Sequence, residues 1–197
     1  WFERRYHAPS YSFDMGGVRF VFLRVDFGPT PQSGAGEHVR DDQLDWLKQD
    51  LESLDAAVPV VLFVHSPIER CTNSAELLDV LAPHHVVLSM AGHLHRQRVY
   101  EIGPLACVDV GQCRDHPNDP ALSRTISVVH LTDERLTVVP WRWDFADWEC
   151  GQGIADPDAY ARFVTLDKAL DDGAATQPDD AAPADGSTLG LAEEDDA

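Results

Sequence analysis

Lysine is almost missing from this chain: Lys48 and Lys168 are its only two, beside 13 arginines. With 24 aspartates and 10 glutamates, the formal net charge is -19. A surface of that sign repels phosphate backbones and anionic headgroups, so binding of nucleic acid or membrane by charge is not expected. Cysteine is sparse too. Cys71, Cys107, Cys113 and Cys150 form no C-x-x-C pair, which argues against a zinc knuckle and against a disulfide scaffold. Free, mostly buried thiols are expected instead. No apolar run reaches the roughly 18 residues of a spanning helix, and no signal-peptide pattern is present. The chain opens on Trp1 rather than Met. The cytoplasm is the expected compartment; secretion stays open, because the true N-terminus is expected to lie upstream.

What the chain does have is a concentrated signal at residues 86–96. Val86-Val87-Leu88-Ser89-Met90-Ala91 runs into Gly92-His93-Leu94-His95-Arg96. A short continuous apolar run fits a strand buried on both faces of a parallel sheet. Gly92 lets the backbone turn sharply or approach something closely. Two imidazoles follow where the strand ends, and the carboxyl ends of strands are where open α/β sheets bind ligands. The turn either carries two solvated histidines or holds a metal; the buried strand and Gly92 favour the metal.

The surrounding pattern alternates helix and strand. Tyr11–Asp14 and Val18–Val25, separated by Met15-Gly16-Gly17, read as a hairpin. Residues 28–40, rich in Gly and Pro, read as an exposed loop. Asp41 and Asp42 open a helix with Leu44, Leu47, Leu51 and Leu54 on one face. Val58–Val64 is a second buried strand, ending in His65-Ser66-Pro67. Ser74 caps a second helix with Leu77, Leu78 and Leu81 inward. This is a βαβ unit with parallel strands. Beyond His95, Arg98–Ile102, Leu105–Val110, Thr125–Leu131 and Leu136–Val139 read as short antiparallel strands. They suggest a second sheet packed on the first. Trp141, Trp143, Phe145 and Trp148 are expected to pack under a C-terminal segment. Residues 1–166 form the expected domain. Residues 167–197 carry ten acidic residues and one lysine and read as a disordered acidic tail.

His65 and the His93/His95 pair end two strands that should be neighbours, so three imidazoles converge at one sheet edge. His84 and His85 fall at the opposite end of the second strand. His7, His38, His116 and His130 have no motif around them. His65-Ser66-Pro67 followed by Gly92-His93-Leu94-His95-Arg96 resembles the calcineurin-like metallophosphoesterases, as do the Tyr11–Val21 hairpin and the Asp42–Leu47 stretch of the helix. The resemblance spans roughly residues 10–140. It implies an α/β fold, part of a four-layer α/β/β/α sandwich with mixed β-sheets. It implies two divalent ions (manganese, iron or zinc) and a phosphorylated small-molecule or nucleotide substrate. By similarity, His65 and His93 would bind one metal and His95 the other. Arg96 would meet a phosphate oxygen, or else be solvated.

The departures from that family matter as much. Its Asp-x-His, Gly-Asp-x-x-Asp and Gly-Asn-His-Asp/Glu motifs, which supply the bridging carboxylate, the amide ligand and the leaving-group acid, do not occur before the hairpin. Arg24 stands where the family has Asp. Three imidazoles cannot fill two metal sites; Asp26 and Asp109 are candidates to help. The chain is therefore expected to be the C-terminal part of a longer metal-dependent phosphoesterase, hydrolysing phosphomonoesters or phosphodiesters when complete and inactive by itself, with a raw sheet edge and an uncovered apolar face. The alternatives are a non-catalytic metal-binding or partner-binding remnant and an unrelated zinc-binding α/β protein. Oligomeric state is not legible.

Short carboxylates with so little lysine also resemble halophilic proteins; the alternative is an ordinary acidic protein. At about 1 M salt the Debye length falls to about 3 Å, which screens self-repulsion of such a surface. On the halophilic reading the thermal unfolding midpoint should climb steadily between about 0.1 M and 1 M KCl. A midpoint that does not move would contradict it.

Overall fold

The computed structural model describes residues 9–27, 36–113, 124–143, 148–150 and 164–167. The hairpin forms as expected: β1 (Tyr11–Met15) and β2 (Val18–Leu23) pair antiparallel around Gly16 and Gly17, both at positive φ. A short ladder follows, β3 (Asp26–Phe27) against β4 (Glu37–His38). Helix α1 (Asp41–Glu52) then crosses to β5 (Val60–Val64), and helix α2 (Ser74–Leu81) crosses to β6 (Val86–Ala91). Asp41 and Asp42 sit in the first turn of α1, where the exposed backbone N–H groups favour negative charge. The N-cap position of α2 is Asn73, not Ser74. The Asn73 amide bonds to Val39 instead of capping the helix. Its Oδ1 accepts from the Val39 N–H at 3.2 Å, and its Nδ2 donates to the Val39 carbonyl at 2.7 Å.

β7 (Arg98–Ile102) and β8 (Leu105–Asp109) form a hairpin turning at Gly103, with β8 lying parallel to β6. The first sheet thus has six strands in the order β1-β2-β5-β6-β8-β7, with β2, β5, β6 and β8 parallel. This corrects the expectation that 98–110 belongs to the second sheet. Leu105, Cys107 and Val108 are buried, and a hairpin with such a strand gains most by extending the sheet already present. The second sheet holds β9 (Thr125–Leu131), β10 (Arg135–Trp143), β11 (Trp148–Cys150) and β12 (Val164–Asp167). β10 outruns the expected Leu136–Val139 and passes through Pro140. Proline has no N–H to give a ladder, and Pro140 falls between the span of β10 that meets β12 (135–138) and the span that meets β11 (141–143).

Two apolar layers result. Leu47 and Leu51 of α1 and Leu77 and Leu81 of α2 pack on Val21, Leu23, Leu62 and Val64 on one face of the first sheet. On its other face Val18, Phe20, Val61, Leu88, Met90 and Val108 meet Leu136 and Val138 of the second sheet. Helix, sheet and sheet stack in that order, three of the four layers expected. No second helical layer occurs among the described residues. Among the described residues β1 is an edge strand, and Tyr11, Phe13 and Met15 on it are about half exposed. Cys71 and Cys107 are buried free thiols; burial pushes them up to about 11 and about 12 respectively, so both stay protonated. Cys113 is free and exposed. Among the described residues no helix is long and apolar enough to cross a membrane. Beyond β12 the acidic tail lies outside the described residues.

Candidate functional site

Val64 pairs with Ala91 at the carboxyl ends of β5 and β6. One step further, the Gly92 N–H donates to the His65 carbonyl at 3.0 Å. Backbone pairing therefore delivers His65 and His93 side by side. His93 Nδ1 lies 3.3 Å from His65 Nε2, and the rings meet edge to face at a centroid distance of 5.3 Å. Such a contact has two uses: one ring N–H donates to the other ring's lone pair, or both lone pairs turn on one cation. Two nitrogens about 2.0–2.1 Å from a tetrahedral ion stand about 3.3–3.4 Å apart, so the observed spacing fits the second use as well as the first.

The turn that carries His93 is strained. His93 and His95 have φ of 51° and 55°, a left-handed conformation that costs a side-chain-bearing residue about 1–2 kcal/mol. Gly92, expected to take that burden, has no left-handed φ, and a Cβ there would meet the His65 carbonyl at an ordinary 3.7 Å. Non-glycine residues held this way mark positions where the side chain is needed.

Behind His93 stands a carboxylate that no sequence motif announces. Glu37 Oε1 is 3.5 Å from His93 Nε2 and accepts from Arg70 Nε at 2.9 Å. Burial pushes the Glu37 carboxyl up, but the Arg70 hydrogen bond and the charges of Arg70 and His93 outweigh it, holding the group below its ordinary value. An ionised carboxylate there favours the proton on His93 Nε2 and leaves the lone pair on Nδ1, facing His65. The Thr72 N–H and hydroxyl both donate to the Glu37 carbonyl, and the Asn73 bridge to Val39 fixes the next turn of chain. The Gly and Pro content of residues 28–40 predicts an exposed loop, yet Glu37, His38 and Val39 are buried. A two-residue strand has no periodicity to detect. Val39, apolar just before a helix, is the one local sign that the chain dips inward here. His38, with no motif around it, is buried with Nδ1 3.1 Å from Thr72 Oγ1. Phe27, half exposed, lays its ring 5.4 Å from His65 and 5.5 Å from His93.

Of the other residues singled out, His95 and Arg96 are exposed. Among the described residues no three His, Cys, Asp or Glu side chains cluster as a metal ion would require. The two carboxylates considered as helpers are taken by arginines. Asp26 pairs with Arg24 at 2.5 Å and with Arg40 at 3.4 Å. Asp109 is fully buried, and burial pushes its carboxyl up against the pull of Arg98, whose Nε lies 2.8 Å away. Arg98 also reaches Glu69 at 2.6 Å and stacks on Tyr100. It thereby ties the turn after His65 to the strands after His95. His85 contacts the Ala57 carbonyl at the far end of the sheet, as expected. His7 and His116 lie outside the described residues.

The site is thus a pair of imidazoles at the carboxyl edge of a mixed α/β sheet, braced by a buried carboxylate. No protein-family model matches the chain, and no curated protein does. Among solved structures it is similar to GAP50, the anchor in the inner membrane complex of Plasmodium (TM-score 0.49, 14% identity, covering 72% of this chain and 52% of that one). It is similar to Vps29 complexed with zinc from Entamoeba histolytica (TM-score 0.33, 10% identity, 81% and 60% covered). A third is a 5'-nucleotidase from Staphylococcus aureus in complex with alpha-ketoglutarate (TM-score 0.37, 15% identity, 87% and 32% covered). The chain spans less than two thirds of the length of each of these structures.

A group held ionised by the fold contributes stability above its unfolded pKa and loses it as pH falls through the depressed folded value. Glu37 is such a group. In Arg70→Ala, burial acts on its carboxyl with less opposition. Stability at neutral pH should drop by about 1–2 kcal/mol, and the part of the stability lost on acidification should shrink, because the folded value moves back toward the unfolded one. Urea unfolding from about pH 3 to 7 reads both; a profile superimposable on the parent's would contradict the assigned role of Arg70.

Proposed function

We propose that this edge holds a divalent metal ion on His65 and His93 and serves the metal-dependent hydrolysis of phosphate esters. The observation that carries the reading is the 3.3 Å approach of His93 Nδ1 to His65 Nε2, with Glu37 behind the outer nitrogen of His93. The resemblance of His65-Ser66-Pro67 and Gly92-His93-Leu94-His95-Arg96 to the metallophosphoesterase motifs supports it. The pair would give one ion two nitrogens, and among the described residues no third ligand joins them. An ion bound there supplies a water acidified to a pKa near 7 and a positive centre for phosphoryl oxygens.

The chain's own residues have distinct roles. His65 and His93 present neutral lone pairs on one side of the edge. Glu37 holds His93 in the tautomer that can do so, and Arg70 keeps Glu37 ionised. Arg96, exposed beside the turn, would meet a phosphate oxygen by charge. His95 is the residue from which a second ion would be held. Its exposure favours a second reading, a non-catalytic module that binds one ion or a partner.

Calorimetric titration with zinc and with manganese should show one ion per chain. His93→Ala or His65→Ala should abolish the binding, and Glu37→Gln should weaken it about tenfold or more. Release of p-nitrophenol from p-nitrophenyl phosphate and bis-p-nitrophenyl phosphate, measured with manganese, tests whether two imidazoles suffice for turnover. Two imidazoles give little purchase for aiming a nucleophile, so this chain alone should bind the ion without turnover. Metal-dependent turnover lost in His93→Ala would show that the pair suffices. Binding that survives both alanine variants would overturn the site.

A further inference from the structure

Between the two sheets, at the carboxyl ends of β5, β6 and β8, lies a cleft of about 300 Å³. Its walls include Val64 and Gly92, the residues immediately before His65 and His93. The cleft thus opens at the same strand ends that carry the imidazole pair, although neither ring lines it. We propose that this cleft receives the flat apolar group of an aryl phosphate ester whose anionic end sits at the imidazoles. The anionic end rests on the function proposed above; the cleft stands on its own walls.

The walls select for such a group. Phe63, Met90, Val110 and Ile126 supply most of the surface. The Phe63 ring is held by stacking on Phe22 at 4.5 Å, so this wall is preformed. Met90 brings a polarisable sulfur, which favours contact with an aromatic ring edge. Among the described residues no acidic or basic side chain lines the cleft, although the chain as a whole carries -19. Such described walls admit an apolar group. The volume suits one or two fused rings: a cavity of about 150 Å³ accepts benzene, and small-molecule sites begin near 300 Å³.

One polar feature points to a ligand. Ser127 lines the cleft, and its Oγ is buried without a hydrogen-bond partner among the described residues. The neighbouring polar groups are satisfied: Thr125 Oγ1 donates to the Gln112 carbonyl and the Cys113 thiol to the Thr125 carbonyl. A buried hydroxyl left unpaired costs about 1–3 kcal/mol; closed off from water in this structure, it would meet a heteroatom on a bound ring only as the wall shifts to admit one. Gly111 makes the wall possible. A Cβ there would lie 1.7 Å from Thr125 Oγ1, so only glycine lets the end of β8 approach the start of β9 this closely.

The test compares 1-naphthyl phosphate, ethyl phosphate and 1-naphthol on the whole chain by equilibrium dialysis. The two phosphates are measured with zinc, and naphthol with the metal chelated. The chain should bind naphthyl phosphate about tenfold or more tightly than ethyl phosphate, and should bind naphthol without metal. Ile126→Trp and Ser127→Leu, both on a partly exposed stretch of β9, fill the cleft; circular dichroism checks that each is folded. Each should abolish naphthol binding and reduce naphthyl phosphate to the affinity of ethyl phosphate. His93→Ala should abolish ethyl phosphate binding and leave naphthol binding in place. Equal affinity of the parent chain for the two phosphates, or naphthol binding untouched by both fillings, would overturn the cleft assignment. Naphthol binding with no ethyl phosphate binding would leave the cleft standing and defeat the phosphoesterase reading instead.

Discussion

The parallel pairing of β5 with β6 is the constraint on which the rest depends. Its register sets Val64 against Ala91 and lets the Gly92 N–H reach the His65 carbonyl. Because side chains alternate with period two, a slip of one residue would exchange the residues packed on the helices for those packed on the second sheet. Leu62, Leu88 and Val61 have essentially no exposure, so that slip is heavily penalised. The imidazole pair is thus a by-product of core packing. Its geometry is fixed by apolar residues that never touch it, which is the arrangement a precise site requires.

Around that pair the chain places charge where it can be balanced. Glu37 is buried but shared by Arg70 and His93. Asp109 is buried but shared by Arg98 and Tyr100. An uncompensated carboxylate in either position would cost several kcal/mol. Lysine is almost absent, and each of these pairs uses arginine, whose planar fork holds a carboxylate at two points and stays charged. The Arg98 network joins Glu69 in the turn after His65 to the strands after His95. It braces from outside the two turns that β5 and β6 align from within.

Much of this is legible from the residues alone. Continuous apolar runs announce β5 and β6 because burial on both faces leaves no polar alternation. The leucine spacing announces α1 and α2. The limits Thr125 and Leu131 of β9 coincide with those read from the sequence, since a turn signal, Thr132-Asp133-Glu134, closes the strand. What escapes is non-local. The β7–β8 hairpin has the same local signature whichever sheet it joins, and only the burial of β8 against β6 decides. Pro140 looks like a stop because the gap between β11 and β12 that tolerates it belongs to other parts of the chain. Glu37 is hidden for the same reason. Its meaning comes from Arg70 and His93, which lie 33 and 56 positions further along the sequence.

The central claim is that His65 and His93 turn their facing nitrogens on a single cation. Long-range proton–nitrogen correlation spectra of the imidazoles during a zinc titration test it most directly. The claim predicts that His65 Nε2 and His93 Nδ1 shift together and saturate at one equivalent, with His93 Nε2 remaining protonated. Resonances that respond separately, or His95 responding while this pair does not, would contradict it.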